Sequence, residues 1–214
     1  MAFGFLTDRE IKELGPQFLG DYFRAGQVEE ASYKLSLGDE VYISGQDYPN
    51  YLSETNPYVS LPRGQFALLM TKEFIKLPKN FLGLISIRLG RKEQGLINIS
   101  GFHVDPGWEG KLMFSVFNAG PSDAVLQYND DMFVIFFYQL EHEAERGYEG
   151  KRKGQEHLPI NLVTSLKGTS ASLADVDKRT RYLEITTRVQ WALLIVLFGA
   201  LVTLLLRGVF GGGG

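Results

Sequence analysis

The most restrictive feature of the sequence is a run near its carboxyl end, from Val189 to Leu206, that contains no charged residue. As a helix, its roughly 18 residues would extend about 27 Å, close to the hydrocarbon thickness of a bilayer. Trp191 lies at the near edge of the run, where interfacial aromatic residues are found. We therefore predict a transmembrane helix over 189–210 that contacts the lipid bilayer through 189–206. A buried core helix or an oligomerisation helix is the alternative.

The charges on either side of this run predict its orientation. Arg207 follows the run, whereas four basic residues precede it: Lys178, Arg179, Arg181 and Arg188. The positive-inside rule then places the N-terminal part of the chain in the cytoplasm, held by a single-pass C-terminal membrane anchor. The N-terminal Met1–Leu6 lacks the basic flank of a secretory signal.

The segment before the run is polar. Residues 141–170 are rich in Gly, Lys and Glu, which predicts a mobile arm. The sequence Ser172-Leu173-Ala174-Asp175 is typical of a helix start, and we predict a linker and helical stalk over 159–188. Residues 211–214 are a glycine tail.

Residues 31–140 have a β pattern. Short runs rich in Val, Ile, Phe and Tyr alternate with turn signals such as Asp105-Pro106-Gly107. Strands at this spacing, without intervening helices, predict an antiparallel barrel or jelly roll. A short helix is predicted over 7–14, because Thr7 and Glu10 form a capping box. The clearest strands are Phe66–Met70, Leu82–Ile87, Lys111–Phe117 and Met132–Tyr138.

Composition excludes several kinds of site. The chain has no cysteine, which excludes disulfides, thiolate metal sites and a cysteine nucleophile. It has 3 histidines, too few for a histidine-rich metal centre, and we predict no metal ligands. Its net charge of −3 argues against nucleic acid as a partner.

Several motifs, in order, resemble those of the dCTP deaminase and dUTPase-like family. Residues 7–14 and 31–40 read TDREIKEL and ASYKLSLGDE, similar to SDREI and ASYDLRLGDE of dCTP deaminases. Residues 61–68, LPRGQFAL, resemble LPPGEFAL. Residues 101–110, GFHVDPGWEG, resemble GxxIDPGxxG. The remaining matches are FNAGP at 117–121, similar to FNxGP, and YEGKRKGQ at 148–155, similar to YxGKYxGQ.

This resemblance implies a fold, an assembly and a ligand. The fold class is mainly β, a distorted jelly-roll β-barrel of the dUTPase-like type over 1–158, followed by the stalk and one transmembrane helix. The family forms homotrimers with nucleotide sites between subunits, which implies a deoxynucleoside triphosphate as ligand. It implies no certain cofactor and allows Mg²⁺ to accompany the triphosphate.

The resemblance breaks at the residue that deamination needs. Family members carry a glutamate on the strand after the DPG turn, where a carboxylate takes a proton from water and delivers it to the leaving amine. Ser115 stands at that position, and a hydroxyl cannot replace a carboxylate in this role. The sequence therefore argues against deaminase activity.

The phosphate-binding segment also differs from the family pattern. RSSLARLGL corresponds to residues 88–96, which read RLGRKEQGL, so that Arg88 is retained and Leu89 and Gly90 replace two serines. Lys34 replaces an aspartate near the expected phosphates. Arg88 remains a predicted nucleotide-binding residue because its guanidinium suits phosphate.

The other predicted site residues come from the DPG turn and the arm. The resemblance places Asp105 where dUTPases hold an aspartate that contacts the sugar and orients water, which makes it the candidate catalytic residue. A turn-forming role for Asp105 is equally consistent with Asp-Pro-Gly. His103 is treated as a structural or surface residue, because no partner for it is evident. The arm residues predicted to bind nucleotide are Tyr148, Lys151, Arg152 and Gln155.

Three functions remain open at this point. The first is a membrane-anchored trimeric sensor or effector that binds a nucleotide in a catalytically degenerate site. The second is an active dCTP deaminase or dUTP diphosphatase in deoxynucleotide metabolism. The third is a scaffold that keeps the fold with an empty site.

Overall fold

The computed structural model describes residues 3–167 and 173–210. The chain forms two compact units, residues 1–170 and 171–214. Within residues 3–167 the first unit contains eleven β-strands: β1 (Gly4–Phe5), β2 (Tyr33–Ile43), β3 (Asn50–Tyr51), β4 (Tyr58–Leu61), β5 (Phe66–Lys76), β6 (Phe81–Ile87), β7 (Leu96–Asn98), β8 (His103–Val104), β9 (Glu109–Asn118), β10 (Ala124–Gln127) and β11 (Asp131–Gln139). Its helices are α1 (Asp8–Leu19), α2 (Leu89–Glu93) and α3 (Ile160–Ser165).

Most strands belong to one antiparallel sheet. Its main order is β7-β9-β5-β2-β11-β6-β8, with β1 added to β11 and β3 added to β2. Strands β10 and β4 form a second, two-stranded sheet. The four strands that the sequence predicted most clearly are confirmed, and each is longer than its apolar run.

Alternation of side chains explains how the sheet encloses a core. Along β9 the buried positions include Leu112, Phe114 and Val116, and the intervening residues are partly exposed. Phe114 stacks on Phe133 of β11 with ring centroids 4.0 Å apart, which joins strands from different parts of the sheet. The period of two therefore directs one face of β9 into the core and leaves the other face partly exposed.

Helix α1 is longer than the predicted 7–14. The Glu10 carboxylate accepts the N–H and hydroxyl of Thr7, both at 2.9 Å, as expected for a capping box. The helix continues through Pro16 to Leu19, because Phe18 and Leu19 are buried in the core. Packing of this last turn outweighs the break that proline usually causes.

The globular unit extends past the predicted boundary at 158. Leu158 and Val163 are buried with Tyr42, Leu68 and Met70 on the outer face of β2 and β5. Helix α3 thus covers apolar side chains that the sheet would otherwise expose. Part of the predicted linker is consequently a packed element of the first unit.

The second unit is the helix α4 (Leu173–Phe210). It includes both the predicted stalk and the predicted span in one uninterrupted helix. The stretch Arg179–Thr203 has a mean hydropathy of 1.8 over its most apolar part and is long enough to cross a membrane. The predicted glycine tail lies outside the described residues.

Glu73 is the most strongly buried carboxylate whose titration the structure shifts. It is 4% exposed, and both of its oxygens accept the Ser36 N–H, at 3.0 and 2.9 Å. Ser36 lies opposite Asp131 where the β2–β11 register shifts, so Glu73 satisfies a backbone group near this irregularity. Burial raises the pKa of Glu73 to about 7, above its ordinary 4.5.

Candidate functional site

The DPG turn between β8 and β9 brings the arm onto the sheet. Gly107 has φ +78°, and a Cβ there would lie 2.7 Å from the Gly147 Cα. Only glycine permits both this backbone conformation and this approach. Tyr148 N–H donates to Pro106 O at 2.8 Å, and the Tyr148 ring contacts Trp108 with centroids 4.8 Å apart. The turn therefore packs directly against the arm and forms a hydrogen bond with it.

The arm is fixed to the start of β9 along its polar length. Gly154 N–H donates to Glu109 O at 2.7 Å, and Lys111 N–H donates to Gln155 O at 2.7 Å. Residues that predicted a mobile arm are thus held by backbone hydrogen bonds. The composition of the arm did not indicate this attachment, because backbone hydrogen bonds require no particular side chain.

A second attachment follows immediately along the chain. The buried Glu40 of β2 contacts His157 Nδ1 and accepts the Leu158 N–H at 2.7 Å. Glu40 is 4% exposed, and a buried carboxylate requires such partners. The contact orients the chain at the start of α3, whose Leu162 reaches the cleft described next.

The DPG turn, β9, the arm and α3 surround a cavity of about 410 Å³, which we call the arm cleft. It brings together four of the predicted site residues: Asp105, Tyr148, Arg152 and Gln155. Ser115 and His103 also line it. The walls combine these polar groups with apolar side chains, including Leu112, Met113 and Leu162. Such a combination is typical of small-molecule sites.

Gln155 places an unsatisfied acceptor in the arm cleft. The side chain is 9% exposed, and its Nε2 donates to Lys111 O at 3.3 Å. Its buried Oε1 has no hydrogen-bond partner among the described residues. An unpaired buried carbonyl costs about 1–3 kcal/mol.

Asp105 faces a histidine across the turn. Its Oδ1 lies 3.3 Å from His103 Nε2, and the two side chains are 47% and 44% exposed. Sequence reasoning found Asp105 and assigned no role to His103. The pairing arises because His103 begins the short strand β8 and Asp105 directly follows that strand, which the sequence does not by itself reveal.

Ser115 lies on the partly exposed face of β9, at the cleft wall. Among the described residues lining this cleft, Asp105 is the only carboxylate. Asp105 lies in the DPG turn, whereas the glutamate expected from the resemblance would lie on β9, where this chain has Ser115.

Arg88 lies in another cavity, of about 620 Å³, which we call the arginine cleft. Its guanidinium is 3.1 Å from Glu29 and 3.8 Å from Asp131. Lys34 pairs with Asp131 at 3.1 Å, so the charge reversal at position 34 has a counterion. Within one chain the predicted site residues are thus divided between two clefts, and Lys151 lies on an exposed turn of the arm.

The arginine cleft is largely neutralised by its own carboxylates. Arg91 contacts Asp130, and burial, followed by the nearby charge of Arg88, lowers the pKa of Arg91. Asp131 also accepts the Gln27 side-chain amide at 2.6 Å. The sequence does not indicate these pairings, because the acids come from positions far along the chain from residues 88–91.

Comparison with known proteins agrees with this architecture. Residues 5–140 match the family model described as DCD: dCTP deaminase-like. The chain is 32% identical over 156 residues to a dCTP deaminase of Thermococcus kodakarensis, covering 73% of this chain and 96% of that protein. It is 28% identical over 188 residues to a dUMP-forming dCTP deaminase of Persephonella marina, covering 81% and 98% respectively.

A solved structure shares the fold. The dCTP deaminase of Agrobacterium tumefaciens has a TM-score of 0.56 at 16% identity, covering 65% of this chain and 50% of that chain. This chain therefore spans half the length of that structure. The likeness and the antiparallel sheet together confirm the predicted fold class, which is mainly β. The C-terminal helix α4 is a feature of this chain's own structure.

Proposed function

The chain belongs to the dCTP deaminase-like family, and from that premise we propose that it binds a deoxynucleoside triphosphate without deaminating it. The arm cleft is the proposed site for the nucleoside. Asp105, Tyr148, Arg152 and Gln155 are the residues that contact the ligand. Lys151, exposed beside Arg152, adds charge for the phosphates.

The observation that carries this proposal is the combination of Gln155 and Ser115 in one cleft. The unsatisfied Gln155 carbonyl favours a ligand with a hydrogen-bond donor, such as a nucleobase or sugar. The hydroxyl of Ser115 contributes polar contact but no proton transfer to the base. A nucleotide sensor requires groups that bind the ligand, and it does not require the glutamate that deamination uses.

We also propose that three copies assemble around the β unit. The arginine cleft lies apart from the arm cleft within one chain, so a neighbouring copy would bring Arg88 to the phosphates. Exposed apolar residues on the β unit, of which Leu89 lines this cleft, support an interface. Leu89, Ile97, Ile99 and Phe102 are 70%, 51%, 57% and 68% exposed.

The helix α4 is the proposed single-pass anchor. The apolar side chains of Arg179–Thr203 are exposed, which suits contact with lipid tails. The basic residues before the span favour a cytoplasmic β unit. Nucleotide binding in that unit would then be detected at a membrane, as expected of a sensor or effector.

Mg²⁺ enters this proposal only as a companion of the triphosphate. Within residues 3–167 and 173–210, no group of three or more His, Cys, Asp or Glu side chains is arranged to hold a metal ion. The acids of the arginine cleft are already paired with cations.

The test is binding and turnover measured on the same full-length protein in detergent. Titration calorimetry and thermal unfolding with dCTP, dUTP, dTTP and dATP should show that one nucleotide stabilises the protein. Ligand at 100 times its dissociation constant raises the unfolding free energy by about 2.7 kcal/mol. Ammonia release from dCTP should be absent.

Two results would contradict the proposal. Absence of binding by all four nucleotides would favour the scaffold, and ammonia release at a rate typical of an enzyme would favour the deaminase.

The second candidate function is nucleotide hydrolysis at the phosphates, as in a dUTP diphosphatase. Asp105 in the arm cleft favours it, because this reaction does not need the missing glutamate.

A further inference from the structure

The exposed apolar surface of α4 begins before the uncharged run. None of the most apolar part of the helix is buried within the chain. Leu183 and Ile185 are 63% and 64% exposed, and they lie between Arg181 and Arg188, on the N-terminal side of the run. Lipid tails can cover the span itself, but charged neighbours exclude them from this earlier stretch. A protein surface is therefore the partner that suits these two side chains.

Uncharged residues recur along α4 at alternating spacings of three and four, which are the a and d positions of a coiled-coil heptad. We call this set the α4 seam, and its described members are Thr180, Leu183, Thr187, Gln190, Leu194, Leu197 and Leu201. The charged residues of the same stretch occupy other heptad positions: Arg179, Arg181, Glu184 and Arg188. The α4 seam therefore passes from the charged stalk into the uncharged run without interruption.

A second face of α4 has the same spacing and is the alternative surface. We call it the outer face, and its described members are Tyr182, Ile185, Val189, Ala192, Val196, Gly199 and Thr203. Continued to the start of the helix, the outer face reaches Asp175 and Lys178. The α4 seam instead reaches Leu173 and Val176. Charges at a and d oppose close packing of helices, so the sequence of the whole helix favours the seam.

The charges that flank the α4 seam identify a second copy of the same helix as the partner. Arg179 occupies a g position and Glu184 occupies the e position five residues later. In parallel helices in register, g of one copy faces e of the next heptad of the other, so these opposite charges meet. Antiparallel helices would place Arg179 against itself. The outer face has Arg181 and Arg188 at g and no acid at its described e positions.

We infer that the α4 seam binds the same seam of further copies of this chain, in a parallel, in-register bundle that continues from the charged stalk into the membrane. The parallel direction rests on the proposed single-pass anchor, because every copy would then insert with the same orientation. A seven-residue repeat on a helix of 3.6 residues per turn gives the bundle a left-handed supercoil. The amide of Gln190 both donates and accepts hydrogen bonds, so copies can satisfy one another at this polar position.

Because the chain has no cysteine, single cysteines test this surface without background. Leu183→Cys and Leu197→Cys lie on the seam, and Ile185→Cys and Val196→Cys are matched controls on the outer face. The natural side chains are 63% and 64% exposed on the seam, against 64% and 68% on the outer face. Each full-length variant is oxidised with copper phenanthroline in an excess of detergent micelles, and linked copies are measured on non-reducing gels. A disulfide needs Cα atoms about 4.4–6.8 Å apart, so the seam variants should cross-link at least about fivefold faster.

Charge exchange tests the direction and register of the copies. In the Leu183→Cys background, Arg179→Glu places two carboxylates opposite each other and should lower the initial cross-linking rate at least about twofold. Adding Glu184→Arg restores an opposite-charge pair and should restore the rate. Arg181→Glu is the matched control, because it makes the same change of charge away from the seam and its flanks. It should cross-link like the Leu183→Cys parent.

Three results would overturn the inference. The first is cross-linking at Ile185→Cys and Val196→Cys that equals or exceeds that of the seam variants. The second is the absence of linked copies in all four variants, and the third is a charge exchange that does not restore the rate. Alkaline carbonate extraction of membranes tests the anchor separately. A chain that resists extraction without cross-linking keeps the proposed anchor and loses the seam, whereas an extracted chain that cross-links at the seam loses the anchor alone.

Discussion

The two clefts of the β unit differ in whether their polar groups have partners within the chain. In the arginine cleft, Arg88 and Arg91 are paired with carboxylates of the same chain, and Lys34 pairs with Asp131 of the cleft lining. In the arm cleft, by contrast, the Gln155 carbonyl has no partner among the described residues. A ligand entering the first cleft must displace existing ion pairs, whereas one entering the second satisfies an open group. We conclude that the arm cleft is the better candidate for the selective contacts.

The largest expected effect is a loss of stability when the contact between the DPG turn and the arm is disrupted. Gly107→Val introduces a Cβ 2.7 Å from the Gly147 Cα at φ +78°, and it should destabilise the unit by at least about 2 kcal/mol. Thermal unfolding measures this. In the arginine cleft Gly90 has open space around it, so Gly90→Ala should leave the melting temperature nearly unchanged. Equal effects of the two substitutions would contradict the distinction drawn between these glycines.

Charge on the arm should control nucleotide affinity. If Lys151 and Arg152 contact phosphates, each supplies a charge-assisted hydrogen bond of about 1.5–3 kcal/mol. The double substitution to alanine should weaken nucleotide binding at least tenfold by calorimetry, because about 1.4 kcal/mol is one decade. The ligand-free melting temperature should hardly change, since both residues are exposed.

Lys167→Ala is the matched control, as this cation lies beyond the arm motif and over the Tyr48 ring. It should bind nucleotide like the parent. If the double variant also binds like the parent, the arm is a linker and the resemblance does not extend to its function.

Stability on the side of the arginine cleft should depend on pH through Glu73. Its folded pKa of about 7 exceeds its ordinary value of 4.5, so the folded state binds the proton more tightly. This contribution is fully present below pH 4.5 and is lost as pH rises through about 7. Glu73→Gln should therefore unfold like the parent near pH 4.5 and be more stable by about 3 kcal/mol at pH 8, because each unit of difference in pKa is worth about 1.4 kcal/mol. Urea unfolding at both pH values measures it; a constant difference would contradict burial as the cause.

The smallest expected effect is a gain in triphosphate affinity. Asp131→Asn removes the carboxylate shared by Lys34 and Arg88, which leaves these cations freer to attract phosphate. Triphosphate affinity should rise about threefold at low salt, and the gain should vanish at 1 M salt because of screening. Calorimetry at the two salt concentrations measures this. Weaker binding at low salt would show that Asp131 supports the ligand site instead of competing with it.

Much of the fold could be predicted from local sequence. Alternating apolar residues marked β9 and β11, and the Thr7–Glu10 pair marked the start of α1, because these signals depend on neighbours in the chain. The end of α1 at Leu19 and the packing of α3 could not be predicted in this way. Both depend on cores supplied by distant strands.

The candidate site was only partly accessible from sequence. The motifs gave Asp105, Tyr148, Arg152 and Gln155, and the structure brings these four together in one cleft. His103 was passed over, since its partner is visible only when the turn is folded. The carboxylates that neutralise Arg88 were also missed, because Glu29 and Asp131 are far from it along the chain.

The sequence by itself determined the strands, the uncharged helix after residue 188 and the absence of a glutamate at position 115. These are properties of single residues and of their periodic neighbours, which folding does not alter. Only the tertiary structure decided which charged side chains are paired with opposite charges and which buried polar atoms have no hydrogen-bond partner. That outcome depends on distances between segments far apart in the chain, which the β-sheet fixes by its register and which local chemistry does not encode.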